Sequence, residues 1–223
     1  MFSRFANEEA KQKNYSRHVG QSSGIKIADH LINYTLSEAR KSQLPVYPFF
    51  SDDQRGNNFG ERLSNAIEDV FLNGYQNVIV VGGDSPSVTS SLLKQTDEKL
   101  NEHALVLAPA KDGGVFLIGI SIEGYNKDCF LEIPWLSNEV FNALEAYAIH
   151  SSLTLAIAAP GEDIDDITSL LEWVNTYTSH ELYSFLHCIL QVCRQIKQHL
   201  LFRVQLPNPI FSCFKLRGPP AYL

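Results

Sequence analysis

Four consecutive apolar residues, Val78 to Val81, constrain the fold of this chain more than any other feature. All four are β-branched, and no polar residue alternates with them. Such a run is typical of a strand that helices cover on both faces, as in a parallel sheet. The run ends abruptly at residues 82–86, which read Gly-Gly-Asp-Ser-Pro. Because open α/β sheets bind ligands beyond the carboxyl ends of their strands, this segment is the first candidate site.

Predicted strands and helices alternate along most of the chain. Helical spacing of apolar residues predicts helices over residues 25–39, 59–71, 89–100, 140–147, 167–174 and 181–201. Short apolar runs predict strands over residues 2–6, 44–50, 78–81, 104–108, 115–120 and 153–158. This order predicts a three-layer α/β/α domain with a mostly parallel sheet. We expect that domain over residues 1–178, with a helix and a proline-rich tail over residues 179–223 packed on it.

Composition excludes several classes of partner. The chain carries 18 Lys and Arg against 25 Asp and Glu, a net charge of −7, which disfavours binding to nucleic acid or to an anionic membrane. No apolar stretch approaches the roughly 18–20 residues of a membrane span, and residues 1–13 lack the apolar core of a signal peptide. We therefore expect a cytoplasmic protein. Its four cysteines form no zinc-binding pattern.

The first polar cluster contains Asp84, which follows the β-branched run. A carboxylate at the tip of a strand suits Mg²⁺, which binds one or two carboxylates together with substrate phosphates. Glycines at positions 82 and 83 would let the backbone approach a ligand closely. The alternative is that Asp84 caps the next helix or stabilises a turn.

Two further clusters follow other predicted strands. Residues 111–114, Lys-Asp-Gly-Gly, could bind a ligand, but Asp-Gly is also a strong signal for a tight hairpin turn. Asp163 and Asp165 would point to the same side of an extended chain, while Asp166 could cap the following helix. Carboxylates this close repel one another unless a cation or a basic group compensates their charge.

Three weaker candidates lie on other segments. Gln54 and Arg62 flank the start of a predicted helix, where anions bind favourably, and Arg62 could hold a phosphate through two hydrogen bonds. An exposed surface charge is the alternative for Arg62. Trp135 could form part of a ligand platform or of the core.

In this order, the motifs resemble those of the DUF2064 family. The resemblance covers roughly residues 2–171, and the string that carries it reads Gln54-x-Gly56, Phe59-Gly60-Glu61-Arg62-Leu63, Gly83-Asp84-Ser85-Pro86, Ala108-Pro109-Ala110-x-Asp112-Gly113-Gly114-Val115, Pro134-Trp135 and Asp163-Ile164-Asp165. The resemblance implies a glycosyltransferase with the GT-A, or nucleotide-diphospho-sugar transferase, fold. It also implies a more distant relationship to the nucleotidyltransferases of molybdenum-cofactor and phospholactate synthesis.

The resemblance also implies roles for individual residues. Asp84, Asp163 and Asp165 would hold Mg²⁺ or Mn²⁺ against the diphosphate of a nucleotide-sugar donor, and Asp112 would be the catalytic residue that positions or deprotonates the acceptor. The residues that would bind the nucleotide or substrate are Ala6, Asn7, Lys11, Gln54, Arg62, Gly83, Ser85, Gly113, Gly114 and Trp135.

The amino-terminal segment departs from the family pattern and leaves two alternatives open. Many members carry a loop rich in Gly and Lys that ends Lys-Thr-Arg-Leu, whereas residues 7–13 here contain no glycine. Glu8 and Glu9 would repel a diphosphate, and Lys11 and Lys13 could attract one. The leading hypothesis is a metal-dependent glycosyltransferase. The alternatives are a nucleotidyltransferase and a non-catalytic descendant that binds a nucleotide or a protein.

Overall fold

A four-stranded sheet lies between two layers of helices in the computed structural model of the chain, which describes residues 1–205 and the side chains of residues 1–195. The helices of this part are α1 (Ala6–Gln12), α2 (Tyr15–Val19), α3 (Gln21–Lys41), α4 (Phe59–Leu72), α5 (Ser90–Lys99), α6 (Lys127–Glu132), α7 (Val140–His150), α8 (Ile167–Thr176) and α9 (Tyr183–Gln205). Its strands are β1 (Asn77–Val81), β2 (Leu105–Pro109), β3 (Val115–Ser121) and β4 (Leu155–Ile157).

The sheet is mixed, so the prediction of a mostly parallel sheet is wrong. Its order is β1-β3-β2-β4; β3 is antiparallel to both neighbours, and only β2 and β4 pair in parallel. The reason is the connection between β2 and β3. Residues 110–114 alone join them, whereas parallel neighbours need a crossover of about a dozen residues or more. Strands β1, β2 and β4 nevertheless run in the same direction.

Helices cover both faces of the sheet, which explains why the run from Val78 to Val81 has no polar alternation. Alternate strand residues point to opposite faces. On one face the sheet packs against α4, α6 and α7 through Val78, Leu105, Leu107, Ile118, Ile120, Leu63, Ile67, Phe130 and Leu144. On the other face it packs against α3 and α5 through Val81, Ala108, Leu117, Ala39 and Leu93. The three layers therefore share two apolar interfaces.

The amino-terminal segment does not form the two strands predicted over residues 2–6 and 44–50. Only Phe2 and Phe49 form an isolated parallel bridge, although the Phe2 amide also donates to the Val81 carbonyl at 2.9 Å. The chain then turns into α1 at Ala6. Acidic residues in the first turn of α1 and Lys11 in its last turn complement the helix dipole, and no glycine interrupts the helix.

A third apolar cluster joins α1, α2, α3, α8 and α9 beside the sheet. Leu182 and Leu186, at the start of the carboxyl-terminal helix, are buried in this cluster with Trp173. The division at residue 178 stays a prediction, and the proline-rich tail expected from Pro207 lies outside the described residues. No helix in residues 1–205 is both long and apolar enough to cross a membrane.

Short segments outside the helices mark the end of α4 and the start of α7. Asn73 follows the last residue of α4, and Gly74 after it has a φ of 92°. Ser137 does not cap α7, because the helix begins at Val140 after Glu139. The Ser137 hydroxyl instead donates to the Pro134 carbonyl at 2.6 Å and thus belongs to the preceding turn.

A comparison of Gly113 with Gly74 can test how closely the hairpin between β2 and β3 packs against Asn138. Both have positive φ, 91° and 92°, but a Cβ atom at Gly113 would overlap the Asn138 carbonyl, whereas a Cβ at Gly74 would meet nothing within 4 Å. Gly74→Ala should lower the free energy of unfolding by about 1 kcal/mol through backbone strain. Gly113→Ala should cost at least about 1 kcal/mol more. Urea unfolding measures both, and equal losses would contradict the predicted overlap.

Candidate functional site

The carboxyl ends of β1, β2 and β4 lie at the same edge of the sheet, and a cleft of about 680 Å³ opens there. Strands that share a direction bring the loops that follow them to one edge, where α/β proteins bind their ligands. The predicted site residues that line this cleft are Gln54, Arg62, Gly83, Asp84, Asp112, Gly114, Trp135, Asp163 and Asp165. Segments more than 100 residues apart in the chain therefore meet in one cavity.

Some predicted site residues do not line the cleft, namely Ala6, Asn7, Lys11, Ser85 and Gly113. The first three lie on α1, where the resemblance suggested a nucleotide-binding loop. Ser85 is buried, and its hydroxyl donates to the Glu162 carbonyl at 2.8 Å. It therefore holds two loops together.

The ammonium group of Lys13 lies among the carboxylates of the cleft. Its Nζ atom donates to Asp84 Oδ2 at 2.5 Å, to Asp165 Oδ1 at 3.0 Å and to the Ile164 carbonyl oxygen at 2.8 Å. Only 8% of the Lys13 side chain is exposed, against 30% for Asp84 and 56% for Asp165. A lysine ammonium has three N–H donors, so each of them has an acceptor here.

Lys13 remains charged in this environment. Burial lowers the pKa of its ammonium, but the Asp84 carboxylate opposes this effect strongly, with further contributions from Tyr15 and Asp165. The pKa of Lys13 therefore lies above its ordinary value. The result is a buried cation held between negative groups from two separate loops.

Asp163 differs from the two acidic residues that bind Lys13. Burial, together with the nearby Asp84 carboxylate, raises the pKa of Asp163 to about 8. Its Oδ1 atom is buried and has no hydrogen-bond partner among the described residues. Burial and the Asp84 carboxylate thus both favour the protonated form of the Asp163 carboxyl group.

The expected divalent metal fits this arrangement poorly. Carboxylate and carbonyl oxygens are suitable ligands for Mg²⁺. However, the point within hydrogen-bond distance of Asp84, Asp165 and the Ile164 carbonyl already holds the Lys13 ammonium. In the part of the chain that the structure describes, no group of three or more His, Cys, Asp or Glu side chains could hold a metal ion. Binding of Mg²⁺ or Mn²⁺ therefore stays a prediction from the resemblance.

Two arginines supply further positive charge to the cleft. Arg4 donates to Glu9 Oε1 at 3.2 Å, and its side chain is 36% exposed. Burial raises the pKa of Glu9, an effect to which Asp84 adds. Arg62 is tethered by its Nε atom to the Asn58 carbonyl at 3.1 Å, at the start of α4. Both guanidinium groups thus lie where an anion could contact them.

The side-chain N–H groups of Trp135 and Gln54, which line the cleft, donate hydrogen bonds to backbone carbonyls of the protein. Trp135 donates its indole N–H to the Phe130 carbonyl at 2.7 Å, and its ring lies 5.6 Å from that of Phe59. Gln54 donates to the carbonyls of Ser3 and Phe49 at 2.8 and 3.1 Å. Trp135 can therefore contact a ligand mainly through its aromatic surface. Gln54 links the backbone at Ser3 to the backbone at Phe49.

Asp112 and Asp166 both stabilise local backbone. The exposed Asp112 accepts a hydrogen bond from the Gly114 amide at 2.9 Å, as the hairpin alternative implied, although the residue also lines the cleft. Asp166 caps α8, as predicted, by accepting from the amides of Thr168 and Ser169 at 2.8 Å each. Of the two, only Asp112 is available to a ligand in the cleft.

Comparison with known proteins identifies the family. Residues 35–137 match the family described as "Uncharacterized protein conserved in bacteria (DUF2064)". This stretch of the chain belongs to DUF2064. The match includes the predicted Gly-Asp-Ser-Pro and Asp-Gly-Gly motifs and ends after Pro134-Trp135, so the suspected family is confirmed. The matched part supplies β1, β2, β3 and the hairpin of the cleft.

Solved structures show the fold that this chain shares. The crystal structure of a "putative nucleotide-diphospho-sugar transferase" from Desulfovibrio desulfuricans G20 aligns with 87% of this chain and 95% of its own, with a TM-score of 0.73 and 20% sequence identity. At that identity the likeness shows the fold alone. Molybdopterin-guanine dinucleotide biosynthesis protein A from Archaeoglobus fulgidus aligns over 72% of this chain and 74% of its own, at 13% identity and a TM-score of 0.31, too low to indicate a shared fold. No curated protein sequence matches the chain.

The central place of Lys13 was not predicted, although the sequence contained a signal for it. Lys13 lies outside the segment that matches DUF2064, directly after the helix that replaces the expected loop. The signal was the crowding of Asp163 and Asp165, which required a compensating cation or basic group. The partner could not be identified from the sequence, because Lys13 and Asp165 are 152 positions apart.

Asp163 should make stability depend on pH. Its pKa of about 8 in the folded state exceeds the roughly 3.9 of an unfolded aspartate, so the folded state binds more protons between these values. The contribution of Asp163 to the free energy of unfolding therefore falls as pH rises from about 4 to 8. Asp163→Asn should reduce the loss of stability between pH 5 and 8 by at least about 1 kcal/mol, since one pKa unit corresponds to about 1.4 kcal/mol.

Denaturant unfolding at the two pH values measures this effect. The exposed Asp52→Asn is the matched control, because it removes a carboxylate outside the cleft. The same pH dependence in wild type and Asp163→Asn would contradict the raised pKa of Asp163.

Proposed function

We propose that this chain is a glycosyltransferase that binds a nucleotide-diphospho-sugar donor in the cleft. The observation that carries the proposal is the convergence of residues 54–62, 82–84, 112–114 and 163–165 on one cavity at the carboxyl edge of the sheet. The similarity in fold to a protein described as a nucleotide-diphospho-sugar transferase supports the same conclusion. The cavity volume of about 680 Å³ also lies in the usual range for small-molecule sites.

The charges and surfaces of the cleft suit the parts of such a donor. Arg4 and Arg62 would contact the diphosphate, because guanidinium groups bind phosphate oxygens through paired hydrogen bonds. The aromatic faces of Phe59 and Trp135 would pack against the base or the sugar. The positive charge of Lys13 would partly compensate the negative charges of Asp84 and Asp165, so that these carboxylates repel the diphosphate less.

The proposed reaction needs a base and a site for the leaving group. An acceptor hydroxyl oxygen would form a bond to the anomeric carbon of the sugar, and the bond from that carbon to the diphosphate would break. The electron pair of the broken bond would leave with the nucleoside diphosphate, whose charge Arg4 and Arg62 would stabilise. The exposed carboxylate of Asp112 would accept the proton of the hydroxyl. No step of this scheme depends on a bound metal.

Binding of the donor can be tested by thermal unfolding with a panel of UDP- and GDP-sugars and NTPs, with Mg²⁺ in every sample. The correct nucleotide-sugar should raise the free energy of unfolding by about 2.7 kcal/mol at one hundred times its Kd. Arg62→Ala should weaken binding roughly tenfold, or by about 1.4 kcal/mol. The control is Arg55→Ala, because Arg55 lies outside the cleft and pairs with Asp69.

The remaining outcomes separate the alternatives. Asp112→Asn should bind the donor as wild type does but lose transfer to an acceptor. Stabilisation by NTPs without any response to nucleotide-sugars would favour a nucleotidyltransferase instead. Absence of a response to every nucleotide would contradict the proposal and favour a descendant of the fold that does not bind nucleotides.

A further inference from the structure

We infer that the ammonium group of Lys13 takes the place of a divalent cation in this cleft, so that its carboxylates bind neither Mg²⁺ nor Mn²⁺. The resemblance predicts a metal held by Asp84 and Asp165, and the structure places Lys13 Nζ between these two residues. The inference concerns the chain's own residues and is independent of which ligand the cleft binds.

The hydrogen-bond acceptors of Lys13 are those expected of a cation site that its ammonium group occupies permanently. Its three acceptors, Asp84 Oδ2, Asp165 Oδ1 and the Ile164 carbonyl, are hard oxygen atoms of the kind that Mg²⁺ prefers. They match the three N–H donors of the ammonium, so none of these donors lacks an acceptor. The site thus has the ligands of a small cation site and a cation that belongs to the chain.

The structure also limits movement of Lys13 out of the site. Its side chain is only 8% exposed, and its backbone amide donates to the Glu9 carbonyl at 2.9 Å at the end of α1. Two residues later, Tyr15 is fully buried and donates its hydroxyl to the same Ile164 carbonyl at 2.6 Å. These two hydrogen bonds anchor the chain on either side of the Lys13 side chain and keep its ammonium group near the carboxylates.

A divalent ion could not readily share these carboxylates with Lys13. An ion in contact with Asp84 would lie within a few ångströms of the ammonium, where like charges repel strongly in a partly buried site. Lys13 neutralises one of the two negative charges of Asp84 and Asp165, so less charge remains to attract a metal.

The experiment uses the full chain and Mn²⁺ alone, with free Mn²⁺ measured by electron paramagnetic resonance. Wild type should leave the Mn²⁺ signal unchanged. Lys13→Met, which keeps an unbranched side chain of similar length but removes the charge, should bind one Mn²⁺ per chain. Asp84→Asn in the Lys13→Met background should abolish that binding. The control is Lys11→Met, which should leave the signal unchanged because Lys11 is an exposed residue two positions before Lys13 and lies outside the cleft.

Two results would overturn the inference. One is saturable Mn²⁺ binding by wild type that Asp84→Asn removes, since the metal would then occupy the site beside Lys13. The other is a folded Lys13→Met variant that binds no Mn²⁺, since the ammonium would then not occupy a cation site. If circular dichroism shows that Lys13→Met does not fold, the comparison of wild type with Asp84→Asn decides the matter. Because no nucleotide is present, failure here is distinct from failure of the proposed function.

Discussion

The ion pairs of Lys13 hold together the parts of the chain from which the cleft is built. Lys13 ends the first helix, Asp84 follows the first strand, and Asp165 precedes the eighth helix. Without this cation, Asp84 and Asp165 would face each other uncompensated beside the buried Asp163. Removing one partner of a buried ion pair is far more destabilising than the pair is stabilising. The charge of the cleft therefore depends on one side chain, which also links the end of the first helix to the loops that contain Asp84 and Asp165.

The fold could be predicted from sequence where a local sequence pattern is compatible with only one kind of local structure. The run of Val and Ile residues at 78–81 required a sheet covered on both sides, and the capping residues Asp166 and Asn73 have the geometry that their sequences indicate. The direction of β3 was missed, although residues 110–114 are too few for a crossover. This error did not change the edge of the sheet at which the site was predicted, because β1, β2 and β4 still end at one edge.

The site could be predicted only in part. Motif residues such as Arg62, Asp84 and Asp112 meet in the cleft because each follows or precedes a regular element whose position the fold sets. The predicted residues of α1, Ala6, Asn7 and Lys11, do not meet there, although Glu9 and Gln12 of the same helix line the cleft. Lys11 is exposed to solvent instead. The partner of the carboxylates, Lys13, could not be identified, since a contact between residues so far apart in sequence has no local pattern.

The hairpin between β2 and β3 has a consequence for how the cleft can change. Gly113 lies against Asn138, and its carbonyl accepts the amide of Phe141 at 3.1 Å. Main-chain atoms thus fix the distance between two walls of the cavity, while the side chains of Ser137 and Asn138 line it without setting its width. Substitutions at those two positions could alter ligand preference during evolution while the aperture stays constant.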